Sequence, residues 1–233
     1  MSGSAVIIGA SGGIGAAFAD ALADEESFAR VWRFARQAGG DGQLDLTDEA
    51  SIAAAAAQVA QAGPPPSLIF VATGLLHAAD RGPEKALKDL DADWLARVFA
   101  INTIGPALIA KHFAPLLPKE GRSVLAFLSA RVGSIADNQL GGWHGYRASK
   151  AALNMLVRNF AIELGRSHKR SICVALHPGT VDTALSKPFQ GNVVAGKLFT
   201  PDRCAMQLLD VIDGLKLADS GKHFAWDGSE IAA

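Results

Sequence analysis

The chain has 233 residues, 22 basic against 23 acidic, and a formal net charge of −1; 49% of it is hydrophobic and 19% charged. That is ample apolar material for a buried core, while the lack of any basic block excludes nucleic acid as a partner. No segment reaches the ~18 apolar residues of a membrane span, and neither the two cysteines, Cys173 and Cys204, nor the six histidines show metal-ligand spacing.

The elements alternate between short apolar runs and longer helical stretches. Ala5 to Ile8 reads as a first strand; it is too short for a signal peptide, so a soluble cytoplasmic protein with reduced thiols is expected. A glycine turn follows, then a helix from about Gly15 to Ala23. Arg30 to Ala35 is the second strand. Ser51 to Ala62 is an alanine-rich helix, stopped by Gly63 and the prolines Pro64 to Pro66. Leu68 to Ala72 suits a strand buried on both faces. One long helix is expected from about Asp93 to Leu117, bent or interrupted near Gly105-Pro106. Ser123 to Ser129 is a strand, Tyr146 to Gly165 a helix, and Ser171 to Leu176 a strand ending at His177-Pro178-Gly179. A helix from about Pro201 to Leu215 and a strand near His223 to Trp226 close the chain. Such alternation predicts βαβ units in one domain over residues 1–233: an α/β fold with a doubly wound parallel sheet and helices on both faces.

Gly9-Ala-Ser-Gly-Gly13-Ile-Gly15 joins the first strand to the first helix. Glycines there allow a sharp turn, close approach to a pyrophosphate and tight helix-on-strand packing. The helix N-terminus adds unpaired N–H groups and partial positive charge for an anion. The turn residues Gly9, Ser11, Gly12, Gly13, Ile14 and Gly15 are therefore candidate dinucleotide contacts. Downstream, the chain's single tyrosine, Tyr146, stands four residues before Lys150, one helical turn away on the same face. An ammonium beside a phenol favours the phenolate, which predicts a lowered phenol pKa and proton exchange near neutral pH.

The spacing Gly-x-x-x-Gly-x-Gly together with Tyr146-x-x-x-Lys150 resembles the short-chain dehydrogenase/reductase family, a Rossmann fold. Further landmarks follow in order: Asn102 in Asn102-Thr-Ile-Gly105, and Pro178-Gly179-Thr-Val181-Asp-Thr183 beside the nicotinamide. Ser129-Ala-Arg-Val-Gly-Ser134 through Asn154 is most similar to the C-factor-like and Sniffer-like carbonyl reductase group. The resemblance implies hydride transfer between a nicotinamide and a carbonyl or alcohol substrate. Tyr146 would be general acid or base, Lys150 would assist it and hold the nicotinamide ribose, and Asn102 would hold a relay water. Pro178, Gly179, Val181 and Thr183 would contact the cofactor, as would Thr73 and Gly74 in Val71-Ala72-Thr73-Gly74, where many members have Asn-Asn-Ala-Gly. A homo-oligomer, dimer or tetramer, is also implied.

NAD-preferring members carry an acid at the end of the second strand to bind the ribose hydroxyls. Here Ala35 stands there and Arg36 follows, a guanidinium suited to a 2′-phosphate; NADP is favoured, with NAD the alternative. Asp45 resembles the aspartate that accepts from the adenine amino group, and Leu46 beside it joins the expected contacts.

The oxyanion-donating serine of the family falls on Ala130 in this alignment, and alanine donates nothing. Ser134, twelve residues before Tyr146, is the preferred replacement; Ser129, or Tyr146 acting alone, are the alternatives. Trp143 and His144 are candidates for pocket walls or for plain loop residues, and Phe189 and Phe199 flank the stretch Ala184 to Thr200, where the resemblance implies a substrate-covering loop. Two other readings remain open at this level: a cofactor-binding regulatory or signalling protein, and a non-hydride epimerase or dehydratase on the same fold.

Overall fold

A computed structural model describes residues 3–37, 39–79 and 81–233. Strand β1 (Ser4–Ile8) is buried at every position, as a strand covered on both faces must be. It turns into α1 (Gly13–Asp24), followed by β2 (Arg30–Ala35) and a two-residue β3 (Gly42–Gln43). Helix α2 (Glu49–Ala62) starts where the Asp48 carboxylate accepts the Ala50 N–H at 3.0 Å, and β4 (Pro66–Val71) follows the proline stop. Helix α3 (Ala92–Phe99) is capped by Asp91, which accepts from Trp94 N–H at 2.8 Å. After a π turn at Ala100–Ile104 comes α4 (Gly105–Phe113). The remaining elements are β5 (Ser123–Leu128), α5 (His144–Ser167), β6 (Ser171–His177), β7 (Thr180–Val181), β8 (Leu198–Phe199), α6 (Pro201–Gly214) and β9 (His223–Ala225).

Seven strands form one sheet in the order β3-β2-β1-β4-β5-β6-β9, every pair parallel. Its two faces bury separate cores. Phe34, Val71, Phe127 and Ala175 pack under α2, α4 and α5. Ile7, Phe70, Val174 and Phe224 pack under α1 and α6. The strand order reverses at β1, which has β2 on one side and β4 on the other. Connections leave that point in opposite directions, so a crevice opens beyond the carboxyl ends of β1 and β4. Among the described residues no helix is long and apolar enough to cross a membrane.

Three local expectations need correction. The helix expected from Asp93 to Leu117 is two helices, and the interruption expected near Gly105-Pro106 takes the form of the π turn at residues 100–104. Pro106 has no N–H to continue the ladder, and it follows directly on the π-type bond from the Gly105 N–H to the Ala100 carbonyl. Gly105 is there for clearance: a Cβ would lie 2.7 Å from the Leu46 Cβ. Helix α5 begins two residues before Tyr146. Strands β3, β7 and β8, two residues each, are too short for alternation to show in sequence.

The Phe18 and Phe70 rings stack with centroids 4.0 Å apart, and both side chains are fully buried, locking α1 to the sheet centre. Phe70→Ala should lower unfolding free energy by about 3–5 kcal/mol, read as a reduced denaturant midpoint at constant m value.

Candidate active site

A cleft of about 730 Å³ lies beyond the carboxyl ends of the central strands. Its floor is the glycine turn. Gly9 has φ +89°, and a Cβ there would lie 2.7 Å from the Ala72 carbonyl; a Cβ on Gly15 would lie 2.3 Å from the Gly9 carbonyl. Backbone meets backbone at both points, so only glycine fits. Helix α1 has Gly12 at its N-cap and no side chain capping it. Its first-turn N–H groups stand at the cleft, where Ser11, Gly12, Gly13 and Ile14 form the lining. An open, uncapped helix N-terminus of this kind suits a phosphate.

At one end the cleft is bordered by Leu44, Asp45, Leu46 and Arg36. Asp45 Oδ1 accepts from the Thr47 N–H at 2.8 Å and the Thr47 hydroxyl at 2.7 Å. Those bonds, with a smaller contribution from the Arg36 charge, hold its carboxyl below the usual range. Arg36 is exposed at the rim and makes no ion pair among the described residues. Midway, Thr73 lines the cleft with its Oγ1 buried and without a partner. That orphaned hydroxyl, the bare helix terminus and the free guanidinium together fit a phosphorylated dinucleotide.

At the other end, Tyr146 and Lys150 occupy successive turns of α5, both buried. Lys150 Nζ donates to the Leu128 carbonyl at 2.8 Å and lies 6.0 Å from the Tyr146 ring centroid. The phenol packs among Leu76, Ala130, Val132, Trp143, Leu185 and Phe189. Burial pushes Tyr146 up to about 12 and Lys150 down to about 7. The lowered phenol pKa expected from the sequence is therefore reversed in this structure: an apolar wall outweighs an ammonium held by another acceptor.

Asn102 is fully buried in the π turn. Its Oδ1 accepts the Leu75 N–H at 2.7 Å, and its Nδ2 donates to the Leu75 carbonyl at 2.9 Å and to Ser149 Oγ at 3.0 Å. The amide is thus a brace between the loop after β4 and α5, with every side-chain hydrogen bond it shows going to protein. Gly74 lies beside this brace, its missing Cβ leaving 3.7 Å to Lys150 Nζ and 3.8 Å to Asn102 Oδ1.

A family model described as enoyl-(acyl carrier protein) reductase matches residues 9–200. The chain is 35% identical over 186 residues to 1-hydroxy-2-glutathionyl-2-methyl-3-butene dehydrogenase of Rhodococcus sp. (strain AD45), covering 80% of this chain and 76% of that protein. It is 38% identical over 146 residues to the C-signal protein of Myxococcus xanthus, covering 63% and 82%. Among solved structures, NADPH-bound carbonyl reductase from chicken fatty liver superposes with a TM-score of 0.84 at 30% identity over 99% of this chain and 98% of that one. The chain belongs to the short-chain dehydrogenase/reductase family. Carbonyl reductase Sniffer of D. melanogaster, with a TM-score of 0.84 at 20% identity over the full length of both chains, shares the fold.

Against that family pattern, the serines settle differently from the sequence expectation. Ser134 is buried and does not line the cleft, and its Oγ accepts the Asp137 N–H at 3.1 Å, capping a loop. Ser129 does line the cleft, but its hydroxyl proton is given to Asn154 Oδ1 at 2.6 Å. Asn154 in turn approaches His223 Nδ1 at 3.5 Å. In this arrangement the Ser129 hydroxyl is engaged by Asn154, and Ala130 in the neighbouring slot has no donor.

Pro178 and Thr183 line the cleft, and the Thr183 methyl sits 2.8 Å from where a Gly13 Cβ would be. Gly179 and Val181 do not line it. Gly179 makes the turn at φ +76° against Phe199 and Trp226, and Val181 anchors β7 in the core under α1 and α6. Sequence reasoning passed over Leu75, His77, Arg97, Ile101 and Leu185, all in the lining. Arg97 and Ile101 lie four apart just before Asn102, a same-face spacing that could have found them.

One consequence concerns pH. An unfolded lysine titrates near 10.5 and buried Lys150 near 7, so between those values the unfolded chain holds a proton that the folded one has released. Stability should therefore rise with pH across that window. Lys150→Met should flatten the rise, as measured by denaturant unfolding at a series of pH values.

Proposed function

We propose that this chain is an NADP-preferring carbonyl reductase, reversibly converting an aldehyde or ketone to the alcohol with Tyr146 as proton donor. The observation that carries the reading is the pairing of two ends in one cleft: a bare helix N-terminus with a free arginine at its rim, and a buried tyrosine–lysine pair at its far end. The resident nucleotide would supply the hydride. The chain's own work is proton delivery, orientation and exclusion of water. The Tyr146 phenol is protonated at neutral pH with or without burial, so it carries the proton that a carbonyl oxygen needs as negative charge develops there. Lys150, held by Leu128 and titrating near 7, can return a proton to the phenol. The apolar wall around Tyr146 keeps the donor dry.

NADP preference rests on Arg36, with no carboxylate at Ala35, and on the NADPH-bound chicken relative. Arg36→Ala should raise KM for NADPH by about tenfold or more, the worth of one charge-assisted hydrogen bond, and leave KM for NADH nearly unchanged. Wild-type rates with NADH equal to those with NADPH over a panel of aldehydes and ketones would remove the role given to Arg36.

A second reading, a cofactor-binding signalling protein with weak turnover, is favoured by the similarity to the C-signal protein and by Ala130 in the slot of the family's serine. Tyr146→Phe separates the two. Loss of carbonyl reduction with NADPH binding retained supports the reductase; biological function that survives the change supports the signalling protein. A homo-oligomer through the outer face of α5 and the turn before α4 fits both readings, since Ile104, Met155 and Ile162 are exposed there. Met155→Lys should shift such an assembly toward monomer in sedimentation analysis.

A further inference from the structure

Glu84, in the loop between β4 and α3, is a carboxylate only 3% exposed. Its Oε2 accepts the Gly145 N–H at 3.1 Å, and its main-chain carbonyl accepts the Trp143 N–H at 2.5 Å. Its Oε1 is buried with no partner. A Cβ on Gly145 would lie 2.9 Å from that oxygen and 3.0 Å from Leu95 Cδ2, so the carboxylate is wedged between α3 and the start of α5. Holding a carboxylate in such a place with one oxygen idle is costly, and an apolar side chain of similar size would pack there without that cost.

The start of α5 is unusual in its own right. Gly141, Gly142 and Trp143 are all left-handed, with φ of 63°, 63° and 50°, a conformation a tryptophan adopts only when its surroundings impose it. Trp143 is the N-cap and supplies no side-chain cap. Glu84 provides the missing acceptor from a distant part of the chain, and its carboxylate meets the positive end of the helix. The segment bearing Glu84 is itself braced: Asp89 Oδ2 accepts the Lys85 and Ala86 N–H groups at 3.1 and 3.0 Å, and Arg81 pairs with Asp91 at 3.2 Å.

Tyr146 is the residue after Gly145. The Trp143 ring meets the Tyr146 ring edge-on at 6.3 Å and the Phe189 ring at 5.0 Å. We infer that Glu84 is a positioning residue for proton transfer: by capping the first turn of α5 and pinning Trp143, it fixes the Tyr146 phenol in its dry pocket. This rests on the carbonyl reductase reading for its kinetic consequence, though not for its structural one.

The test compares Glu84→Ala with Glu84→Gln, whose amide oxygen can accept the same Gly145 N–H. Glu84→Ala should lower kcat for carbonyl reduction about tenfold or more, with KM for NADPH unchanged, because a misplaced reacting group costs rate rather than remote binding. Glu84→Gln should recover most of that rate. A second readout needs no turnover. Tyr146 is the chain's single tyrosine, so the near-ultraviolet absorbance of tyrosinate after a rapid pH jump reports it alone. The midpoint should fall from about 12 toward the ordinary value of 10.0 in Glu84→Ala as water reaches the phenol, and stay high in Glu84→Gln. An unchanged kcat and midpoint in Glu84→Ala would overturn the inference, as would equal losses in both variants, which would make charge rather than placement the cause. If the wild type reduces no carbonyl compound, the reductase reading fails by itself and the tyrosine titration still decides the role of Glu84.

Discussion

The approach of α1 to β1 at backbone contact is the constraint from which the site follows. With a virtual Gly15 Cβ 2.3 Å from the Gly9 carbonyl, and a Gly9 Cβ 2.7 Å from that of Ala72, no side chain can separate helix, strand and neighbouring loop. The helix therefore presents its bare N-terminus at the point where the strand order reverses. Anion affinity and the place for the anion come from one packing decision. The stacked Phe18 and Phe70 rings hold that decision from below.

The far end of the cleft is governed by bracing of α5. Asn102 ties the loop after β4 to Ser149, Thr103 donates to the Ser149 carbonyl at 2.9 Å, and Glu84 caps the first turn. Three polar side chains from outside the helix thus fix the segment that carries Tyr146 and Lys150. Each is buried and hydrogen-bonded, so removing one leaves partners stranded in low dielectric. The π turn matters here because it places Asn102 where a regular helix would rotate it elsewhere.

Electrostatics at this end follow from burial more than from charge pairing. The phenol moves up and the ammonium down because both lose water, and one of the Lys150 N–H groups is held by the Leu128 carbonyl. The same dryness surrounds His177 and His223, pushed down to about 4 and about 3. Ser129 at the cleft wall is tied to Asn154.

The order of elements, the parallel sheet, the phosphate turn and the Tyr146–Lys150 pair were legible in the sequence. Each rests on spacing along the chain, on glycines required at a turn or on apolar runs of strand length, and such patterns are local. The π form of the break near Gly105, the burial of Ser134 beside Asp137, the bracing of Leu75 and Ser149 by Asn102 and the cap from Glu84 were not legible. The Asn102 brace and the Glu84 cap depend on contacts between segments far apart in sequence, and in all four burial and backbone geometry, rather than residue spacing, decide the outcome. The direction of the Tyr146 shift belongs with them. One helical turn puts the lysine on the right face, but only the packed wall of Leu76, Trp143 and Phe189 determines how much water the phenol keeps.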